Sequence, residues 1–538
     1  MHHSHDSLPP RRSAAAFHPA PRLRATFVLA SFAALAALSA LAACDSDTEP
    51  SNAATTGTTG IGGTGGQGGT GAEGGAGGQG GAGGQGGAGG QGGTGGAPCE
   101  PATELCDTPD EDESCDGIPQ CTGAHVQSSA FAGANSQAVR RVTATPDGDA
   151  LVVGDFTGTI DLGGGPLTSA TPGDADIFVA RFDPQGNHVW SKRFGGTGDD
   201  LQDDSAIVVD AAGDVLLAGS FTDPIDFGGG EIVSAGGYDV FLVKLDGQGN
   251  HVWSKRFGGV GWDWVGGMGV DPAGNVLLAG RFGANINFGG SLLSTAGAYD
   301  IFLAKLDPGG NHLWSQGFGD VTDDRATGVA ADADGNVLLG VVFDGAINLG
   351  GDSLPSAGSF DIAVAKLDPE GAHLWSQTLG AAGVEDGGAV APAPNGNVVV
   401  AGSVGGGIYV AALDGVTGSI VWDKMSGGGG LVFPRLAVDG AGNVVVVGSF
   451  VGTDINFDGT PLESAGSYDV FALKFDAAGA PIWSERFGDA GDQQALGLGL
   501  DQTGSAWIGG FFEGTLELGG APLVCTEPSD GFLARLAP

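Results

Sequence analysis

Residues 239–259 read Asp-Val-Phe-Leu-Val-Lys-Leu-Asp-Gly-Gln-Gly-Asn-His-Val-Trp-Ser-Lys-Arg-Phe-Gly-Gly, and variants of this stretch recur along the chain. An apolar run, a Gly-Gln-Gly-Asn turn and a second run are typical of two short strands joined by a tight hairpin. The tryptophan recurs at spacings of 63, 61, 61, 47 and 61 residues, as Trp190, Trp253, Trp314, Trp375, Trp422 and Trp483. Such a period indicates a repeat architecture in which each unit packs on its neighbours.

Two further strands precede this hairpin in each unit. In the unit that contains Trp253, the apolar runs 206–210 and 215–221 flank an Ala-Ala-Gly-Asp turn, and a Gly-rich connection then leads to Asp239. Each unit therefore has four short strands, A to D, and some of them are apolar on both faces. Strands of this kind are needed where sheets stack face to face, as the blades of a propeller do. We predict an all-β fold, a β-propeller with four-stranded blades.

The number of blades follows from the two ends of the repeat. Residues 535–538 align with residues 305–308 at the end of strand C, so the last unit has no strand D of its own. Residues 123–131 align with residues 249–257 and can supply the missing strand. Seven A–B–C sets and seven D strands predict a seven-bladed β-propeller over residues 123–538, closed by an N-terminal strand that completes the last blade.

The repeat resembles that of the bacterial seven-bladed β-propellers. The pattern that carries the resemblance is Asp-x-Phe, an apolar pair, a basic residue, Asp-x-x-Gly, Trp-Ser and Phe-Gly-Gly, followed by Asp-x-x-Gly-Asn-Val, and it is clearest at residues 239–259 and 270–280. The resemblance implies a surface or exported scaffold and assigns no common catalytic residues. The chain departs from the pattern in its shortened fifth unit and in its first and last units, which lack the tryptophan.

The N-terminus predicts export and a lipid anchor. Two arginines precede an apolar run over residues 25–40, and Leu-Ala-Ala-Cys44 follows. Small residues before a cysteine at the end of such a run resemble the bacterial lipobox, which implies cleavage before Cys44 and its lipidation. Residues 1–43 are then a lipoprotein signal peptide, with an uncleaved membrane helix as the alternative. We expect a location in the cell envelope, at the outer membrane or cell surface rather than the inner membrane, with membrane contact through the lipid alone.

Two segments separate the predicted anchor from the propeller. Residues 44–98 consist largely of Gly-Gly-Gln and Gly-Gly-Ala triplets, which predict a lipid-anchored, disordered Gly-rich tether. Residues 99–122 are short and acidic, and an even number of cysteines in an exported protein suggests two disulfides, with three possible pairings, among Cys99, Cys106, Cys115 and Cys121. A zinc site formed by these cysteines is the alternative, but the segment contains neither a CxxC spacing nor a histidine.

The acidic charge of the chain excludes nucleic acids as partners and suggests that a cation binds. The chain has 21 basic and 63 acidic residues, a net charge of −42. Because nucleic acids are bound by clustered lysines and arginines, we exclude them as partners. Acids recur in the D-to-A connections, where they would surround one mouth of the central channel and favour a cation. Calcium is the one cofactor considered, with candidate ligands Asp199, Asp200, Asp323 and Asp324.

No catalytic set can be drawn from the repeat. One active site needs one special group of residues, yet five histidines occupy the same position at the start of strand D: His125, His188, His251, His312 and His373. We therefore predict a structural role for these histidines and no enzymatic activity. Two alternatives stay open at this point. One is a carbohydrate-active propeller enzyme, a lyase or glycosidase, and the other is a structural spacer without a ligand.

The repeat breaks most sharply at Gly261-Trp262-Asp263-Trp264, where two tryptophans replace polar residues in a D-to-A connection. Indoles beside a carboxylate suit stacking on sugar rings or apolar side chains, although they could instead plug the central channel. In the fifth unit, residues 402–407 join strands B and C directly, which should leave a notch in the rim. We expect a monomeric, non-enzymatic binding or adhesion scaffold whose protein or glycan ligand contacts Trp262, Asp263 and Trp264.

Overall fold

The computed structural model describes residues 122–198, 200, 205–380, 383–427, 434–457, 461–525 and 527–538. The predicted signal peptide, Cys44, the Gly-rich tether and Cys99, Cys106, Cys115 and Cys121 lie outside the described residues. Within them, seven four-stranded antiparallel sheets follow one another as blades. No helix in the described part of the chain has the length and hydropathy to cross a bilayer.

The strands run in chain order through the blades. The first two are β1 (His125–Phe131) and β2 (Gly133–Ala134). Blade 1 contains β3 (Gln137–Ala144), β4 (Ala150–Thr157), β5 (Thr159–Asp161), β6 (Pro166–Thr168), β7 (Ala175–Phe182) and β8 (His188–Phe194). Blade 2 contains β9 (Ser205–Val209), β10 (Val215–Phe221), β11 (Ile225–Asp226), β12 (Glu231–Ile232), β13 (Asp239–Leu245) and β14 (His251–Phe257). Blade 3 contains β15 (Asp263–Val270), β16 (Val276–Phe282), β17 (Asn285–Ile286), β18 (Leu293–Ser294), β19 (Asp300–Leu306) and β20 (His312–Phe318).

The remaining blades follow the same order. Blade 4 contains β21 (Asp324–Ala331), β22 (Val337–Asn348), β23 (Ser353–Leu367) and β24 (His373–Thr378). Blade 5 contains β25 (Asp386–Pro392), β26 (Val398–Val404), β27 (Gly407–Leu413) and β28 (Ile420–Met425). Blade 6 contains β29 (Arg435–Val438), β30 (Val444–Phe450), β31 (Thr453–Ile455), β32 (Leu462–Glu463), β33 (Asp469–Phe475) and β34 (Pro481–Phe487). Blade 7 contains β35 (Gln493–Leu500), β36 (Ala506–Phe512), β37 (Thr515–Leu516), β38 (Leu523–Val524) and β39 (Asp530–Leu536).

The N-terminal strand closes the propeller as predicted. β1 pairs antiparallel with β39, with Ser129 opposite Leu533 and Phe131 opposite Gly531, and so forms strand D of blade 7. Blade 7 therefore combines the first described strand of the chain with its last three long strands. The all-β fold, the seven blades and their closure by an N-terminal strand are confirmed.

The core lies between neighbouring blades. Every residue of β10 and β13 is buried, because one face packs on blade 1 and the other on blade 3. Leu217 and Val243 of blade 2 join one apolar cluster with Val153 of blade 1. Burial of both faces explains why strands B and C are continuously apolar instead of alternating.

The tryptophans of strand D join one blade to the next. Each indole lies on the glycine of the following blade's C–D turn, so that a Cβ on Gly249 would come within 2.9 Å of Trp190. Five of them also donate Nε1–H to a carbonyl of that turn at 3.0–3.2 Å, and these donors are Trp190, Trp253, Trp314, Trp375 and Trp422. The repeated tryptophans thus pack one blade against the next.

The repeated histidines have structural contacts of their own. Their Nε2 atoms share hydrogen bonds of 2.9–3.2 Å with the serine three residues later, in the pairs His125–Ser128, His188–Ser191, His251–Ser254, His312–Ser315 and His373–Ser376. Each imidazole also lies against glycines of the short hairpin that joins strands B and C, as His251 does at Gly229. The predicted structural role of the histidines is confirmed.

Blade 5 lacks that short hairpin. Gly405 and Gly406 join β26 to β27 directly, with left-handed φ angles of 58° and 82° that favour glycine. Ile420 stands at the start of strand D where the other blades have histidine or proline, and it is 46% exposed. The predicted shortening of the rim is therefore present, whereas its use as ligand access stays a prediction.

Candidate functional site

Four aromatic side chains and one arginine meet on the rim where the D-to-A and B-to-C connections emerge. Trp262 ends the connection from β14, and Trp264 follows in β15. Tyr238 and Tyr299 stand directly before β13 and β19, and Arg281 lies near the end of β16. The backbone N–H of Asp263 donates to the Tyr238 carbonyl at 2.8 Å, which fixes the two tryptophans beside this tyrosine. We call these five residues the aromatic cluster.

Trp264 is the centre of the aromatic cluster. Its ring centroid lies 5.9 Å from that of Tyr238 in a stacked arrangement, 5.3 Å from Tyr299 and 5.5 Å from Trp262. The guanidinium carbon of Arg281 stands 4.3 Å from the same ring and 5.6 Å from Tyr299. Ring pairs at these separations, together with a cation–π contact, hold Trp264 in one orientation.

Trp262 is the exposed member of the cluster. Its side chain is 45% exposed, and its ring meets both Tyr238 and Trp264 at nearly right angles, 89° and 81°. One part of the indole rests on Gly237, where a Cβ would lie 1.9 Å from it. Trp262 is therefore not a buried plug of the channel. Its glycine support and two perpendicular rings leave it fixed and accessible to a ligand.

The structure corrects the expected role of Asp263. Its side chain is fully buried, and its carboxylate accepts hydrogen bonds from the backbone N–H groups of Gly259 at 3.1 Å and Gly283 at 3.3 Å. Burial raises its pKa to about 6, although both hydrogen bonds oppose the change. Asp263 braces the loop that presents Trp262 and does not face a ligand beside the indole.

Two of the acids predicted to surround the mouth of the channel, Asp200 and Asp324, are buried in the same way as Asp263. Asp200 and Asp324 are buried at the equivalent position and accept hydrogen bonds from the backbone N–H of Gly196 at 2.7 Å and Asp320 at 3.0 Å. In blade 7, Gln493 accepts the same kind of bond from Asp489 at 3.1 Å. An amide can thus replace the acid, so this position requires a hydrogen-bond acceptor for the loop and not a charge.

The other metal candidates occupy different surroundings. Asp323 is exposed, and its backbone forms an isolated parallel bridge with Tyr299. Asp199 lies outside the described residues. Within the described ranges, no group of three or more acids, histidines or cysteines is arranged to hold a metal ion. Of the candidates that the structure describes, Asp200 and Asp324 thus brace loops, and Asp323 faces solvent.

An arginine of strand D pairs with the first aspartate of strand C in only three of the seven blades. In blades 1, 2 and 6, an arginine of strand D pairs with the first aspartate of strand C, in the pairs Arg193–Asp176, Arg256–Asp239 and Arg486–Asp469. In blade 3 the arginine is replaced by Gly317, and burial raises the pKa of the corresponding Asp300. Beside it, burial and, to a smaller extent, the charges of Asp320 and Asp300 raise the pKa of Asp324 to about 7.

Two recesses lie away from the aromatic cluster. One encloses about 430 Å³ between blades 3 and 4 and is lined in part by Pro272, Trp314 and Pro369. The other encloses about 450 Å³ where the ends of strands A surround the opposite mouth of the channel, and Val208, Val270 and Leu500 are among its lining residues. Neither recess contains Trp262 or Trp264.

Sequence reasoning missed three members of the cluster. Tyr238 and Tyr299 directly precede the repeated aspartate of strand C, and Arg281 stands where β10 and β30 have a serine. Alignment of the units could have singled out Arg281, which departs from its repeat, but not the tyrosines, because Phe360 and Tyr468 stand at the same position in other blades. Their meeting with Trp264 could not be predicted, since it depends on contacts between two blades. The buried Cys525, which follows β38, was not considered either.

Comparison with known sequences finds distant relatives. No protein-family model matches the sequence. The chain is 22% identical over 444 residues to an uncharacterized WD repeat-containing protein of Acanthamoeba polyphaga mimivirus, covering 63% of this chain and 31% of that protein. It is 24% identical over 214 residues to the regulatory protein FlaEY of Caulobacter vibrioides, covering 38% and 22%. The chain thus spans less than a third of the length of these relatives.

Solved structures match the chain at low identity and low TM-score. The quinohemoprotein alcohol dehydrogenase of Comamonas testosteroni matches with a TM-score of 0.41 and 12% identity, covering 78% of this chain and 77% of that one. Sqt1 of Chaetomium thermophilum matches with a TM-score of 0.39 and 12% identity, covering 76% and 98%. The Pan2 WD40 domain of Neurospora crassa matches with a TM-score of 0.37 and 10% identity, covering 74% and 89%. At these TM-scores, none of the matches carries a functional argument.

Proposed function

We propose that the chain is a lipid-anchored, non-enzymatic binding scaffold of the cell envelope that holds its protein or glycan ligand at the aromatic cluster. The observation that carries the proposal is the exposed indole of Trp262, fixed on Gly237 and between two perpendicular rings. A rigid, accessible indole gives a ligand a large contact area at a small entropic cost. The lipid anchor and the tether follow from the N-terminal sequence and would display this rim away from the membrane.

The asymmetry of the rim supports a single ligand site. Blades of nearly equal sequence present nearly equal surfaces, so a ligand can be held in one pose only where the repeat breaks. Trp262 and Trp264 form such a break, and Arg281, Tyr238 and Tyr299 gather around it. The non-enzymatic class is supported by the histidines, which are held by serine and glycine contacts in the repeat.

The test compares the wild-type full chain with Trp262→Ala and with the double variant Trp262→Ala/Trp264→Ala on glycan and peptide arrays. Val252→Ala is the matched control, because Val252 is another exposed apolar residue, 50% accessible, on the outer strand of blade 2. We expect the tryptophan variants to lose the bound ligands and the control to keep them. Circular dichroism checks the fold of each variant.

The same experiment can contradict the proposal in two ways. Binding that survives Trp262→Ala in a folded protein would place the ligand site elsewhere. Release of new reducing ends or unsaturated sugars from a polysaccharide panel would instead support the carbohydrate-active enzyme. The single variant keeps the test valid if removal of the half-buried Trp264 impairs folding.

A further inference from the structure

The rim next to the aromatic cluster is strongly acidic. The connection from β20 to β21 contains Asp320 and the exposed Asp323, and Asp324 follows at the start of β21. Behind this connection, Asp300 and Asp324 are more than nine-tenths buried. Their Oδ1 atoms have no hydrogen-bond partner, and that of Asp300 faces Gly319 of the connection. Because Gly317 stands where blades 1, 2 and 6 have an arginine, no strand-D guanidinium neutralises Asp300 here.

The acidic connection is continuous with the cluster. The backbone of Asp323 pairs with that of Tyr299, whose ring lies 5.3 Å from Trp264. Two valines at equivalent positions of neighbouring connections, Val260 and Val321, are 80% and 78% exposed. Trp262 and Val260 of one D-to-A connection and Val321 and Asp323 of the next are exposed on the same rim, and Trp262 and Asp323 hold equivalent positions, directly before Asp263 and Asp324. These four residues make up one exposed face. We call it the blade 3–4 rim face.

The chemistry of this face favours a cationic ligand with an aliphatic stem. Lysine and arginine pack their methylene groups on apolar surface while the charged head meets a carboxylate or an aromatic face. The cluster already holds one such group, since the Arg281 guanidinium stands 4.3 Å from the ring of Trp264. A neutral sugar could stack on Trp262 but would offer no positive charge to the exposed carboxylate of Asp323. An anionic ligand would approach a chain with a net charge of −42.

We propose that the blade 3–4 rim face binds a lysine- or arginine-rich segment of a partner protein, with one basic side chain on Trp262 and its charged head at Asp323. This inference rests on the proposed function and narrows its ligand from protein or glycan to a basic polypeptide. The exposed carboxylate of Asp323 attracts the segment, and the indole of Trp262 selects the side chain that is finally held.

The experiment measures binding of the full chain to three labelled probes by fluorescence anisotropy. The probes are a twelve-residue lysine–glycine peptide, its Nε-acetylated form and a neutral hexasaccharide. We expect the lysine peptide to bind about tenfold more tightly than the acetylated one, because acetylation removes the charge that both contacts require. Raising the salt concentration should weaken binding by screening Asp323.

Four variants separate a specific site from general attraction to an acidic protein. Trp262→Ala and Trp262→Leu should each lower the affinity about fivefold, because neither side chain offers an aromatic face. Asp323→Asn should lower it about threefold. Asp334→Asn removes an equally exposed carboxylate from an A–B turn and should leave the affinity within about twofold of wild type.

Four outcomes would overturn the inference. Equal losses in Asp323→Asn and Asp334→Asn would indicate non-specific attraction, and equal binding of the acetylated peptide would remove the role of charge. Hexasaccharide binding that depends on Trp262, with no binding of the lysine peptide, would contradict the basic segment while supporting the proposed function. If the array ligands also bind independently of Trp262, both proposals fail.

Discussion

Gln127 donates a hydrogen bond from Nε2 to the Pro184 carbonyl, 3.1 Å away, and so joins the strand that closes blade 7 to the C–D turn of blade 1. In most other blades a tryptophan indole makes this contact. Blade 7 has its indole on strand B instead. Trp507 of β36 is fully buried and donates Nε1–H to the Gly148 carbonyl at 3.2 Å. The junction between the ends of the repeat is thus held by an amide on strand D and an indole on strand B.

Restoring the tryptophan at this junction should stabilise the propeller. Gln127 lies against Gly186, as Trp190 lies against Gly249 in the next blade. We therefore expect Gln127→Trp to raise the free energy of unfolding by about 1 kcal/mol, since an indole would cover more of the turn. Thermal and urea unfolding measure the change. A lower melting temperature would show that the junction cannot accommodate an indole.

The closing strand should be essential to the whole propeller. Phe131 is buried, and its ring stacks on Phe182 of blade 1 with centroids 5.3 Å apart. Deleting residues 1–131 removes this contact and exposes the edge of β39, so we expect aggregation or a large loss of melting temperature. Deleting residues 1–97 is the control and should leave the melting temperature nearly unchanged. Equal melting of the two truncations would contradict the role of the closing strand.

The contact between a tryptophan and the next blade can be isolated with two glycines. Gly249 and Gly213 have similar left-handed φ angles, 77° and 82°, so alanine costs about 1–2 kcal/mol in backbone strain at either position. A Cβ on Gly249 would also meet Trp190 at 2.9 Å, whereas nothing lies within 4 Å of one on Gly213. We expect Gly249→Ala to destabilise by about 1–3 kcal/mol more than Gly213→Ala in urea unfolding. Equal losses would mean that the turn moves away from the indole freely.

The repeated features of the fold could be predicted from the sequence, whereas single features of the site could not. Tryptophan and histidine recur at fixed positions, so one structural role explains all copies, and the unpaired ends of the repeat indicate closure. An acid such as Asp263 is different, because the sequence does not say whether a carboxylate faces solvent or turns towards backbone N–H groups. The gathering of Tyr238, Trp264 and Arg281 likewise depends on how two blades pack.

The predicted anchor can be tested apart from the fold. Replacing Cys44 with alanine removes the thiol that the lipobox resemblance assigns to lipidation. We expect the Cys44→Ala protein to move into soluble fractions and to lose labelling by a clickable fatty acid. Cys525→Ala is the control, because this buried cysteine of the propeller should not affect labelling. Membrane association that persists in Cys44→Ala would support an uncleaved membrane helix.

The charge of Asp324 should lower stability near neutral pH. Its Oδ2 accepts the backbone N–H of Asp320, as Gln493 does for Asp489 in blade 7, so the site needs an acceptor and no charge. Burial raises its pKa from 3.8 to about 7, which means that the native state binds the proton more tightly than the unfolded state. The cost of ionising Asp324 is therefore absent below about pH 4, grows as the pH rises, and is complete above about pH 7.

Asp324→Asn removes this cost and should raise the free energy of unfolding at pH 8. The expected gain is about 1.4 kcal/mol for each unit by which the pKa of Asp324 is higher in the native state than in the unfolded state. The gain should shrink as the pH falls from 7 to 4, because wild-type Asp324 then becomes neutral as well. Asp332→Asn is the control of opposite sign. Burial alone would raise the pKa of Asp332, but hydrogen bonds from Lys366 and Asn336 outweigh this effect, so the pKa is lowered overall. The ionised form of Asp332 therefore stabilises the native state. Urea unfolding at pH 4, 6 and 8 measures both variants, and a loss of stability in Asp324→Asn at pH 8 would show that the loop depends on the charge after all.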